Sequence, residues 1–134
     1  MIPVAAYTPE DLLDAARTLL ARPDARTSGV WPRAAAHLLR QALEESLDEF
    51  WKARLPVLAS TSMRVQLTSL PTFLANSDAA ANAAYTWACL SNACHHHPYE
   101  LAPSDTELRA WIEEIERVRE EIVRALSRRE PPVP

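Results

Sequence analysis

Prolines divide this chain into lengths that suit α-helices, and the residues between them favour little else. Pro9, Pro32, Pro56, Pro71 and Pro98 punctuate stretches dominated by Ala, Leu, Glu and Arg, in which Val, Ile, Thr and Tyr are sparse. Such composition favours helix over strand along nearly the whole sequence. Proline is tolerated in a first helical turn, where its missing N–H costs nothing, and disfavours helix in the residue before it.

Five helices are expected on this basis. Thr8-Pro9-Glu10-Asp11 supplies an N-cap, a proline at the first helical position and two acids at the positive end of the dipole. The helix it starts runs to about Ala21, with Leu12, Leu13, Ala16, Leu19 and Leu20 on one face. A polar linker, RPDARTSG, follows. Val30-Trp31-Pro32 opens a second helix with a broad stripe through Leu39, Leu43, Leu47, Phe50 and Trp51, stopped by Pro56. Glu44, Glu45, Asp48 and Glu49 form a solvated acidic face opposite, and His37 stands beside the stripe. Ser60-Thr61-Ser62 caps a short helix, Met63 to Leu70, bounded by Pro71.

Asn76-Ser77-Asp78 caps the fourth helix, which is expected to run to about His96, before Pro98. Alanine at 79, 80, 81, 83, 84 and 88 lets neighbours approach its backbone, which places it in the middle of a bundle. Ser104-Asp105-Thr106-Glu107 is a capping box for the last helix, with Leu108, Trp111, Ile112, Ile115, Val118, Ile122 and Leu126 on its apolar face. Glu113 with Arg117 and Glu120 with Arg124 are spaced for ion pairing on its other side. The expected architecture is all-α: one domain over 1–127, an up-and-down bundle of four long helices plus one short, with 128–134 a disordered tail.

The single glycine, Gly29, excludes glycine-rich phosphate loops and dinucleotide fingerprints. A net charge of −4 argues against nucleic-acid binding by bulk electrostatics, although a local patch is compatible with it. Thirteen arginines against one lysine, Lys52, suit bidentate contacts to phosphate or carboxylate, and also suit a bias in genomic base composition. No stretch reaches the roughly 20 apolar residues of a membrane span, and the N-terminus lacks a basic region followed by an apolar run, so a cytoplasmic protein is expected. Cys89 and Cys94 stand five apart in one helix, their side chains about 140° apart on the wheel, which disfavours a disulfide.

Chemistry concentrates in Asn76 to Glu100, which holds both cysteines and three of the four histidines. His95, His96 and His97 at a helix C-terminus can cap the last carbonyls and complement the dipole. They can equally serve acid–base or recognition roles. Adjacent helical residues splay by about 100° and do not converge on one ion, so no metal or other cofactor is expected. Cys94 beside His95 has no identifiable oxyanion site, so a thiol nucleophile is not supported.

The run from Trp87 to Pro103, WACLSNACHHHPYELAP, followed by Glu107-Leu108 and Trp111, resembles the HEPN superfamily of small helical domains in prokaryotic defence and toxin–antitoxin systems. The resemblance covers roughly Ala79 to Arg124. Members with nuclease activity carry R-x4–6-H at the end of a helix facing a dimer partner. There the arginine holds phosphate, the histidine transfers protons, and RNA is cleaved without metal through its own 2′-hydroxyl. The resemblance therefore implies a metal-independent RNA endonuclease or toxin component, or a noncatalytic module that binds RNA or a partner protein such as an antitoxin, in either case a homodimer.

His97 matches the family histidine, and the arginine position falls at Asn92, or at Ser91 with Asn92 in the polar position after it. Neither is arginine, and an amide or hydroxyl cannot supply a guanidinium's charge-assisted contact. Arg64, the only arginine or lysine between Arg54 and Arg109, or a residue across the dimer, is a candidate replacement. Tyr99 and Glu100 follow in the loop; Glu100 can orient a histidine or pair with an arginine, and Tyr99 can act as a lid or a stacking platform.

Overall fold

The computed structural model describes residues 7–21, 31–95 and 101–128. The polar linker, His96, His97, Tyr99, Glu100 and the tail beyond Arg128 lie outside the described residues. The described chain is all-helical, with six helices and no strand: α1 Pro9–Ala21, α2 Trp31–Arg54, α3 Pro56–Ala59, α4 Met63–Phe73, α5 Ser77–Cys94 and α6 Asp105–Ser127.

Local chemistry sets the helix starts. Thr8 Oγ1 accepts from the Asp11 backbone N–H at 3.1 Å while the Thr8 N–H donates to Asp11 Oδ2 at 3.0 Å, a reciprocal cap with Pro9 behind it. Asn76 Oδ1 accepts from the N–H groups of Asp78 and Ala79 at the start of α5. Ser104 and Glu107 complete the expected capping box on α6.

Three boundaries differ from expectation. Pro56 ends α2 but also occupies the first turn of the four-residue α3. Pro71 lies inside α4, which continues to Phe73; near a helix end few hydrogen bonds remain for the ring to interrupt, and Leu74 N–H still reaches Leu70 O at 3.1 Å. Helix α5 ends at Cys94, with His95 extended at φ −83°, ψ 135°.

The hub is α2, which packs against α1, α3, α5 and α6. Its Leu39, Leu43, Leu47, Phe50 and Trp51 are completely buried, each contributing about 1.5–3 kcal/mol relative to exposure. Trp51 meets Phe50 and, across to α4, Phe73 edge-on at 4.9 and 5.1 Å. The Ala-rich α5 was the expected centre and is not. It buries Ala79, Ala80, Ala83, Thr86 and Leu90 but presents Ala81, Asn82, Tyr85, Ala88 and Asn92 outward. Alanine permits close approach yet buries little area, so the large side chains of α2 take the middle.

Polar contacts tie the outer helices to this hub. Ser46, buried on α2, donates to Ala42 O at 2.7 Å and accepts from Arg119 Nη1 at 2.9 Å; Arg119 also pairs with Glu10 of α1. Arg17 pairs with Glu116. On α6 the exposed pairing shifts: Arg124 takes the buried Glu121 rather than Glu120, and Arg117 takes both Glu113 and Glu114. Leu126, placed on the buried face by its spacing, is exposed in the last turn.

Candidate functional site

The end of α5 sits against the start of α2. Arg33, in the first turn of α2, directs Nη1 to two carbonyls at the end of α5, that of the C-cap His95 at 2.8 Å and that of Ala93 at 3.3 Å. The guanidinium thus caps carbonyls at the helix end, where intrahelical donors run out. The positive charge stands at the negative end of the α5 dipole.

Farther along the same edge of α2, Glu44 is the hinge of a polar cluster. Its Oε1 accepts from Arg40 Nε at 2.8 Å and from Trp87 Nε1 of α5 at 3.2 Å. The Arg40 guanidinium lies 5.7 Å from the centre of the Trp87 ring. Glu44 thus belongs to the α2–α5 interface, not to the solvated acidic face, because Arg33, Arg40 and Glu44 recur at spacings of seven and four. The Glu44 hydrogen bond raises the Arg40 pKa, keeping it charged. Burial pushes the neighbouring Cys94 thiol up, against the opposing pull of Arg40, so the thiol stays protonated near neutrality, which suits it poorly to nucleophilic attack. Both cysteines are free.

On the other side of the α5 terminus a cleft of about 330 Å³ opens between α5 and the start of α6. Arg33 contributes from α2; Cys89 and Asn92 line it from α5, and Ser104, Glu107 and Trp111 from the start of α6. Asn92 is exposed, and its carboxamide makes no hydrogen bond among the described residues. Ser91 by contrast has its hydroxyl buried without a partner among the described residues. Of the two positions that could stand for the family arginine, Asn92 is therefore the one facing the cleft.

Arg64 is exposed on α4, with no side-chain hydrogen bond or ion pair among the described residues. His95 is exposed at the α5 C-cap. His96, His97, Tyr99 and Glu100 fall outside the described residues. His37 is exposed on α2. Among the described residues no three His, Cys, Asp or Glu side chains cluster as a metal site requires, and no helix is long and apolar enough to cross a membrane.

Arg33 is the residue that linear reading passed over. It lies 60 and 62 positions from its partners, beyond any helical spacing; its signal is the pairing of the α2 start with the α5 end. No family model matches this chain, and comparison with curated proteins and with solved structures gave no significant match.

Proposed function

We propose that the protein is a HEPN-like RNA endonuclease or toxin component that works without metal, with Arg33 in place of the motif arginine. One observation carries this reading: a guanidinium from α2 stands at the end of the helix whose own arginine position holds Asn92. Nη1 is spent on the α5 carbonyls, whereas Nε and Nη2 make no hydrogen bond among the described residues. An arginine anchored at one corner has little rotamer freedom left to lose when it meets a phosphate.

In this mechanism Arg33 holds the scissile phosphate and His97 moves protons. The RNA 2′-oxygen loses its proton, bonds to phosphorus, and the 5′-oxygen leaves and is protonated, giving a 2′,3′-cyclic phosphate and a 5′-hydroxyl. Preorganised positive charge on the phosphate oxygens is the main source of acceleration open to a metal-free site.

The order of cross-helix contacts supports an up-and-down bundle. Going along α2 from Arg33 to Glu44, contacts on α5 run back from His95 to Trp87; going along α1 from Glu10 to Arg17, those on α6 run back from Arg119 to Glu116. The outward face of α5, with Tyr85 71% exposed among alanines and no charge after Asp78, fits a homodimer contact. The second reading is a noncatalytic module for RNA or a partner protein, and the engagement of Arg33 as a helix cap favours it.

The deciding experiment is cleavage of a mixed RNA in EDTA by the wild type and His97→Ala, with termini assayed for cyclic phosphate. Cleavage that His97→Ala abolishes is expected. Absence of cleavage by folded wild-type protein would reject the nuclease in favour of the binding module.

A further inference from the structure

We propose that the cleft between the end of α5 and the start of α6 is a pocket for one unpaired nucleobase, whose neighbouring phosphate rests on Arg33. This deepens the RNA reading and rests on it. The volume, about 330 Å³, is at the lower end of small-ligand pockets and suits a single nucleotide rather than a duplex. A paired base is held in its stack, so the ligand is single-stranded.

The walls divide the nucleotide by polarity. Glu107 lines the α6 end, its carboxylate held by the Ser104 N–H at 3.2 Å and hydroxyl at 3.1 Å. A phosphate is repelled by that carboxylate and drawn to the Arg33 guanidinium, which lines the same cleft. The neutral base then takes the uncharged part of the lining, where half-buried Trp111 supplies an aromatic surface and exposed Asn92 a carboxamide. Stacking accepts any base because each has a π-face; a carboxamide, both donor and acceptor, can read an unpaired edge. Leu101, 98% exposed, extends the apolar rim.

The test is binding of a fluorescent, single-stranded 2′-O-methyl RNA hexamer, which lacks the 2′-hydroxyl needed for self-cleavage. Its duplex and an abasic oligomer of the same length and charge serve as competitors. Trp111→Leu is expected to weaken binding about tenfold or more, Asn92→Ala to weaken it less, and Arg64→Ala to leave it unchanged. Duplex and abasic oligomer should compete poorly. Equal binding by wild type and Asn92→Ala together with equal competition by the abasic oligomer overturns the pocket. Because Asn92 is exposed, its alanine variant decides the matter even where Trp111→Leu does not fold. Base-dependent binding without cleavage of ordinary RNA would sink the nuclease and leave the pocket standing; cleavage with base-independent binding would do the reverse.

Discussion

Replacing Arg33 with alanine tests the central structural claim directly. The substitution removes a 2.8 Å bond to His95 O and a longer 3.3 Å bond to Ala93 O. A hydrogen bond from a charged donor contributes about 1.5–3 kcal/mol when well buried. The His95 contact is exposed and the Ala93 contact only partly buried, so the lower part of that range applies. Loss of a cation from a helix C-terminus costs a further ~0.3–1 kcal/mol, partly the same energy counted again. The expected destabilisation is about 1–2 kcal/mol. With an unfolding slope of about 2 kcal/mol/M, that lowers the urea midpoint by about 0.5–1 M without changing the slope. Arg33→Lys, which keeps charge but loses the planar fork, should fall between. Amide exchange should accelerate in the last turn of α5 and little elsewhere. An Arg33→Ala midpoint equal to that of the wild type would refute the capping role and, with it, the anchored guanidinium on which the site is built.

Two further outcomes follow from local features. In a Cys89→Ser background, alkylation of Cys94 by iodoacetamide should show a pH midpoint above the ordinary 9.0, and Arg40→Leu should push it higher; a midpoint below 9.0 would contradict the burial argument. Because the folded value is raised, the Cys94 contribution to stability is complete below the ordinary thiol range and is lost as pH climbs through the folded value, where the unfolded thiol ionises first. Ser104→Ala removes the acceptor for the Glu107 N–H and should cost about 1 kcal/mol in urea unfolding; an unchanged midpoint would mean that α6 does not depend on its box.

Much of the fold is legible along the chain because helix formation is local. Thr8 with Asp11, Asn76 with Ala79 and Ser104 with Glu107 act within three residues, so spacing alone exposes them. The apolar stripe of α2 likewise announces its burial, from Leu39 to Trp51. Alanine misleads: a run of small residues is compatible with a central helix and with one that leaves a bare face, and α5 is the second kind. The candidate site was half visible. Asn92 and the histidine run mark the end of α5 in one dimension, but Glu44, read as one acid among four, is tied to Trp87 only through packing, and Arg64, singled out for its isolation, is exposed with no side-chain hydrogen bond or ion pair among the described residues.

Sequence by itself therefore determines that the chain is helical, where most helices begin, and which side chains of α2 and α6 are apolar. Those properties depend on propensity, capping and periodicity, whose interactions span no more than a few residues. Tertiary structure decides that α2 is the hub, that Glu121 rather than Glu120 receives Arg124, and that Arg33 meets the end of α5. Each is a choice among partners of similar chemistry, settled by which large side chains fill the core and therefore which helix edges are brought together.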